Sequence, residues 1–150
     1  VLTRDKCKPC QIPGFFLKDM SLIPSKLEDA SLAERLRRRI LVDNNPVSCV
    51  LHPTGSVLVR DWLGEGAEDQ ELLRVQKILE AVLQADTEGD YAACLARATG
   101  GFNSWSARLQ ALGERLDGAP PTEADELRRI FREVSRECND MKRELLGAAP

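Results

Sequence analysis

The amino-acid sequence predicts an α+β domain that is mostly α-helical: one helix, one β-hairpin at about residues 47–62, and then three to four helices ending in an antiparallel helix pair. Two observations predict this class. From residue 69 onward the apolar residues recur three and four positions apart, which is the spacing of one helix face. Within residues 46–63 they alternate with other residues, as in a half-buried strand. A chain of 150 residues has room for one hydrophobic core.

The hairpin prediction depends on the turn sequence His52-Pro53-Thr54-Gly55. Proline suits a type I turn, and glycine suits the bulge residue that often follows such a turn. We expect helices to cover the hairpin, because an isolated two-stranded hairpin is marginally stable in water. Pairing the residues that flank the turn gives the two strands one apolar face, formed by Val47, Cys49, Leu51, Val57 and Val59.

Residues 1–24 are predicted to form an extended arm, and residues 25–150 a single helical domain that includes the hairpin. The arm contains three prolines and shows no helical period. Its apolar run at residues 15–17 packs either on the domain's own core or on a partner. Together with two apolar residues of the last helix, this run gives the candidate partner-binding residues: Phe15, Phe16, Leu17, Met141 and Leu145.

Local signals place the predicted helices along the chain. Ser31 with Glu34 matches a capping box, and Ser25 with Glu28 offers an alternative start for the same helix. This helix is predicted to end near residue 43, before an Asn-Pro pair. The last two helices are joined by a short connection rich in proline and glycine, which favours an antiparallel pair. The later helices are predicted at residues 69–85, 90–99, 102–116 and 122–146.

The composition disfavours nucleic-acid and membrane partners. The chain has 21 basic and 24 acidic residues, a formal net charge of −3 and a pI of about 5.3. It therefore carries no general electrostatic attraction for nucleic acid or anionic lipid. No apolar run approaches the roughly 18 residues that a membrane-spanning helix needs. We expect protein partners, and no small-molecule substrate is indicated.

The five cysteines indicate the compartment. Their number is odd, and Cys49, Cys94 and Cys138 each occur singly within an apolar pattern. Reduced, buried thiols have this distribution, whereas a disulfide framework of a secreted domain uses an even number of cysteines. We therefore expect an intracellular protein, either cytoplasmic or nuclear.

One set of residues has the composition of a zinc site. Cys7-x-x-Cys10 and Cys49-x-x-His52 together supply three cysteines and the single histidine of the chain, which are ligand types of a structural zinc ion. In the predicted hairpin Cys49 and His52 lie on opposite faces, so they bind one ion only if the turn brings them together. Otherwise they are a core cysteine and a turn histidine. Zinc is the one cofactor that the sequence suggests.

The sequence shows no convincing catalytic motif. Cys7 and Cys10 lack the flanking strand and helix of a thioredoxin-like dithiol, because Pro13 and Gly14 follow them. Neither a nucleophile elbow nor a phosphate-cradling glycine motif occurs. We therefore predict that the chain is not an enzyme but a non-catalytic protein-protein interaction subunit or adaptor of a multiprotein complex. The alternative is a small zinc-stabilised binding module.

Overall fold

The computed structural model describes residues 7–10, 14–24, 30–62, 64, 69–85, 89–98, 107–108, 110–114 and 124–146. Within these residues four short strands form two pairs. Strands β1 (Lys8–Pro9) and β2 (Phe16–Leu17) are antiparallel. Strands β3 (Leu41–Asp43) and β4 (Ser56–Leu58) are parallel, with Asp43 beside Leu58 at the end of the pair.

The α-helices α1 to α5 are, in chain order, Leu32–Arg37, Pro46–Cys49, Glu71–Ala85, Tyr91–Ala98 and Ala124–Leu146. Two 3-10 turns lie at Met20–Leu22 and Pro53–Gly55, and residues 107, 108 and 110–114 are also helical. No helix in these described ranges is both long and apolar enough to cross a membrane. The predicted class, α+β and mostly α-helical, is confirmed.

The predicted hairpin at residues 47–62 is wrong. Its first half is the short helix α2, which Asn45 caps by accepting a hydrogen bond from the Val47 N–H at 3.1 Å. Asparagine at the N-cap followed by proline at the first helical position is a strong helix start, and it overrides the apolar alternation of these residues. Only β4 is a strand, and it pairs with β3 in parallel orientation.

The capping box that begins α1 is confirmed. Ser31 Oγ accepts a hydrogen bond from the Glu34 N–H at 3.3 Å, and Glu34 Oε2 accepts one from the Ser31 N–H at 2.8 Å. The predicted end near residue 43 is wrong, because α1 ends at Arg37 and the chain then enters β3. The apolar residues Leu41 and Val42 belong to this strand and not to a helix face.

The later helices agree with the prediction at residues 69–85, 90–99 and 122–146 to within two residues at each end. The helix predicted at 102–116 lies partly outside the described residues, so the antiparallel arrangement of the last pair stays a prediction. Its described part contacts α5, since Arg108 forms ion pairs with Glu137 at 2.9 Å and Glu144 at 2.5 Å.

The hydrophobic core joins the short central elements to the long helices. Val47 and Cys49 of α2 are fully buried, and Val57 and Leu58 of β4 lie beside them in the same cluster. Leu17 also belongs to the core, so part of the predicted arm packs on the chain itself. The division into an arm at 1–24 and a domain at 25–150 stays a prediction. The other core side chains are Val50, Val75, Val82, Cys94, Leu95, Leu112, Val134, Cys138 and Met141.

Candidate functional site

The carboxyl ends of β3 and β4 lie at the same edge of the parallel pair, with β3 ending at Asp43. In open sheets with parallel strands, ligands bind outside the carboxyl ends of the strands. Asp43 is buried at this edge, and Asn44, the next residue, is exposed. This edge is therefore a candidate binding site.

An ion pair between a buried carboxylate and a half-exposed lysine lies at this edge. Lys18 Nζ donates a hydrogen bond to Asp43 Oδ2, and the Asn45 N–H donates to the other carboxylate oxygen, Oδ1, at 2.8 Å. The Asp43 side chain is 4% exposed and the Lys18 side chain is 47% exposed. Because a buried carboxylate is stable only when it is paired, Asp43 holds the lysine ammonium at the surface of the edge.

The backbone fixes Lys18 in this position. Leu17, the last residue of β2, is buried in the core, and the Lys18 N–H donates to the Ser48 carbonyl of α2 at 3.2 Å. Helix α2 itself follows β3 after two residues. These contacts place the ammonium group of Lys18 at the carboxyl end of β3, which is 25 residues further along the chain.

A second set of polar contacts begins at Asn44, the residue after Asp43, and includes Asp61 and Lys142. Asp61 accepts a hydrogen bond from Asn44 Nδ2 at 2.6 Å, and Lys142 Nζ lies 2.9 and 3.0 Å from its two carboxylate oxygens. A carboxylate can only accept, so the amide nitrogen of Asn44 must face Asp61 and the amide oxygen must face away. Asp61 therefore connects the Asn44 side chain to Lys142 of α5.

Acid is expected to weaken the contacts of Asp61 with Lys142 and Asn44. Partial burial by itself raises the pKa of Asp61, but hydrogen bonds from Lys142 and Asn44 outweigh it and hold the pKa below the ordinary value of 3.8. A carboxyl group with a lowered folded-state pKa stabilises the protein above its unfolded-state pKa, and this contribution is lost as pH falls through the folded-state value. Asp61→Asn should therefore be less stable than wild type at pH 7, and the two should become nearly equal at an acidic pH below the lowered pKa of Asp61. Urea denaturation at both pH values checks this, and a gap that stays constant would contradict it.

His52, a member of the predicted zinc set, contacts the arm. Its Nε2 accepts a hydrogen bond from the Met20 N–H at 2.8 Å and lies 3.2 Å from Asp19 Oδ1. Partial burial raises the pKa of Asp19, but contacts with Ser21 and His52 outweigh this and leave the pKa below its ordinary value. His52 thus holds the turn that directly follows Lys18.

The structure does not bring the four predicted zinc ligands together. Among the residues it describes, no group of three or more His, Cys, Asp or Glu side chains could hold a metal ion. Cys7 and Cys10 are half-buried near β1, while Cys49 is buried in α2, where burial raises the pKa of its thiol to about 12. Cys7, Cys49, Cys94 and Cys138 form no disulfide in the described part of the chain. The zinc hypothesis therefore receives no support from this geometry.

The predicted partner-binding residues occupy different environments. Phe15 stacks on Phe131 of α5 with ring centroids 4.9 Å apart, and Phe16 is half-buried in β2. Leu17 and Met141 lie in the core, at 7% and 0% exposure. The side chain of Leu145 lies outside the described part of the chain. A partner-binding role for this set stays a prediction.

Sequence reasoning missed Lys18, Asp43, Asn44 and Asp61 as site residues. The available signal was the apolar run Ile40-Leu41-Val42 followed directly by Asp-Asn, which is typical of a buried parallel strand that ends in polar ligands. A helix was predicted across this run, so Asp43 was interpreted as a helix-ending residue.

The fold and its contacts define an α+β domain with a cluster of charged and polar side chains at the carboxyl end of a parallel strand pair. The profile of one protein family, described as NLI interacting factor-like phosphatase, matches residues 1–88. This stretch is more than half of the 150 residues and contains all of β1 to β4. The chain belongs to this phosphatase family.

Individual relatives agree with this assignment. Over 85 residues the chain is 33% identical to the human "Carboxy-terminal domain RNA polymerase II polypeptide A small phosphatase 2", covering 57% of this chain and 27% of the relative. The mouse protein of the same name is 32% identical over 73 residues, covering 49% and 23%. An uncharacterised protein of Schizosaccharomyces pombe is 33% identical over 79 residues, covering 53% and 21%. No solved structure matches.

The chain thus spans about a quarter of the length of the curated relatives it matches.

Family membership corrects three predictions. The prediction of a non-catalytic adaptor or zinc-stabilised module is wrong, because the family and two of the relatives are phosphatases. The prediction that the chain is not an enzyme is wrong for the same reason. The expectation that no substrate is indicated is also overturned, because the matching family and two of the relatives are phosphatases. The expectation of protein partners stays a prediction.

Proposed function

We propose that this chain forms the phosphate-binding side of a phosphatase site at the carboxyl end of β3 and β4. The observation that carries the proposal is the half-exposed ammonium of Lys18, held at this edge by the buried carboxylate of Asp43. An ammonium group has three donors, and Asp43 occupies one. The other two remain for the oxygens of a phosphate group, for which lysine is a common protein ligand.

The proposed substrate is a phosphate monoester on a polypeptide. The name of the human relative describes a phosphatase of the carboxy-terminal domain of an RNA polymerase subunit, which is a polypeptide substrate. In this chain Asn44 at the edge is exposed and Lys18 is half-exposed, so a phosphate on a protein surface can approach them. An intracellular location is proposed on the odd number of cysteines and on the burial of Cys49, Cys94 and Cys138 within the core.

The described residues have distinct roles in this proposal. Lys18 binds the phosphate and offsets the negative charge that develops on its oxygens during transfer. Asp43 positions Lys18. The Cys49 thiol is buried and its pKa is raised to about 12, so it stays protonated and is no nucleophile at neutral pH. The attacking group is therefore proposed to come from outside the described residues.

Magnesium suits the oxygen ligands at this edge. Mg²⁺ prefers hard oxygen ligands and often takes only one or two from the protein, because water and substrate phosphate complete its coordination. The carboxylate of Asp43 and the outward-facing amide oxygen of Asn44 would hold it. Such an ion would polarise a phosphoryl oxygen. Protein sulfur ligands, which favour zinc, are absent from the described contacts of these two residues.

Phosphate binding tests the proposal. Isotope-labelled full-length chain is titrated with inorganic phosphate, and amide chemical shifts of residues 18 and 43–45 are followed by NMR. We expect saturable shifts in the wild type and no saturable shifts in Lys18→Met/Asp43→Asn. The double substitution removes the cation and the buried charge together, so that no unpaired carboxylate is left to unfold the protein.

The matched control is Lys77→Met, which removes one exposed lysine from α3. It should bind phosphate as the wild type does. If the folded Lys18→Met/Asp43→Asn variant binds phosphate with wild-type affinity, the proposed site is wrong. Hydrolysis is measured separately, with a phosphoserine peptide and the whole protein, and Lys18→Met/Asp43→Asn should abolish it.

A further inference from the structure

Helix α5 lies outside residues 1–88, the stretch that matches the family. Its Lys142 side chain nevertheless contacts a residue next to the proposed site at the carboxyl end of β3 and β4. Lys142 Nζ lies 2.9 and 3.0 Å from the two oxygens of Asp61. Asp61 in turn accepts from Asn44, the residue directly after Asp43. The contacts of Lys142 with Asp61 and of Asp61 with Asn44 therefore connect the last helix to the proposed site.

The packing of helix α5 on the core fixes the position of Lys142. Val134, Cys138 and Met141 of α5 are all buried, and α5 packs on α2. Lys142 follows one turn after Cys138, on the same side of the helix. Its side chain is only 22% exposed, although lysine is usually a surface residue. The helix thus holds an ammonium group beside Asp61.

Lys142 compensates the negative charge of Asp61 at the edge. In the chain without a bound metal ion Lys18 and Asp43 cancel each other, so without Lys142 the carboxylate of Asp61 would leave the edge with a net negative charge. An aspartate side chain is ionised at neutral pH. A phosphate dianion approaching Lys18 would then be repelled, and such a repulsion acts over several ångströms in a partly buried site.

We propose that Lys142 is a positioning residue that allows phosphate to approach the edge, because it neutralises Asp61, the carboxylate that orients the amide of Asn44. The segment beyond the family match is then part of the substrate site. This inference rests on the proposed function, because it presumes that the edge binds phosphate. Lys142 acts through Asp61 and does not touch the phosphate.

Two single substitutions test the direction of the effect. The probe is inorganic phosphate, titrated at low ionic strength by NMR or calorimetry. Lys142→Met should bind phosphate about tenfold more weakly than wild type, because the Asp61 charge is left uncompensated. Asp61→Asn should bind at least as tightly as wild type, because the repelling charge is gone. If the ion pair only braced α5, both substitutions would weaken binding alike, and that result would overturn the proposal.

Three further measurements sharpen the test. Lys142→Arg keeps the charge and should retain wild-type affinity, while Lys142→Met/Asp61→Asn should recover most of the loss. The difference between wild type and Lys142→Met should shrink at 1 M salt, about the concentration at which the screening length falls to roughly 3 Å. The control Lys77→Met should bind as wild type. Thermal unfolding confirms that each variant is folded before its affinity is compared.

The outcomes separate this inference from the proposed function. If the wild-type chain does not bind phosphate, both are wrong. If the wild type binds and Lys18→Met/Asp43→Asn does not, but Lys142→Met binds as wild type, the proposed site stands and the role of Lys142 is wrong. A tenfold loss in Lys142→Met with no loss in Asp61→Asn supports both.

Discussion

Lys18→Met is expected to lower the free energy of unfolding by about 1 to 3 kcal/mol, which would be a large part of the stability of a small domain. The substitution leaves the carboxylate of Asp43 at 4% exposure with only the Asn45 N–H as a described hydrogen-bond donor. Removing one partner of a buried pair is much more costly than removing both, because the remaining charge is neither hydrated nor compensated.

Urea denaturation of three variants measures this effect. Lys18→Met/Asp43→Asn should recover most of the loss, since the amide that replaces the carboxylate carries no charge. Lys77→Met, which changes an exposed lysine on α3, should stay within about 0.5 kcal/mol of wild type. A Lys18→Met protein as stable as Lys77→Met would mean that water reaches Asp43, and the buried pair would not then position Lys18.

The elements that sequence reasoning predicted correctly are those with local causes. Helix α1 begins at a capping box made by Ser31 and Glu34, three residues apart, and such contacts are visible in the sequence itself. Helices α3 and α5 are long enough, at 15 and 23 residues, for the helical period of their apolar residues to be unambiguous. Both kinds of signal depend on neighbours within one or two turns.

The parallel strand pair was not predictable in the same way. Strands β3 and β4 have three residues each, too few for a period to be distinguished from chance. Residues 46–49 satisfy the alternation of a strand and also fit one turn of helix, and only the Asn-Pro start decides between the two. An antiparallel hairpin was therefore predicted where α2 connects two parallel strands.

The site escaped prediction because its contacts are long-range. Lys18 and Asp43 are 25 residues apart, and Asp61 and Lys142 are 81 residues apart. No spacing rule relates residues at such separations, since the fold alone brings them together. The adaptor hypothesis followed from the lack of a contiguous catalytic motif, whereas this edge assembles a cation and oxygen ligands from three separate segments.

Met141→Ala is expected to lower the free energy of unfolding by about 2 to 5 kcal/mol. Met141 is fully buried in the core, in the turn of α5 that carries Lys142, so alanine would leave a cavity under the helix. The same residue was a candidate for binding a partner. A partner-binding side chain on the surface of the free protein would cost little stability when truncated, so the substitution separates the two roles.

The matched comparison is Leu72→Ala, which shortens a large aliphatic side chain on helix α3 that is 77% exposed. It should change stability by about 0.5 kcal/mol or less. Denaturation of both variants by urea gives the two values side by side. Because α5 carries Lys142 to Asp61, the Met141→Ala cavity should also weaken phosphate binding at low salt in the folded protein. Equal stabilities for Met141→Ala and Leu72→Ala would show that α5 does not pack on α2 in solution.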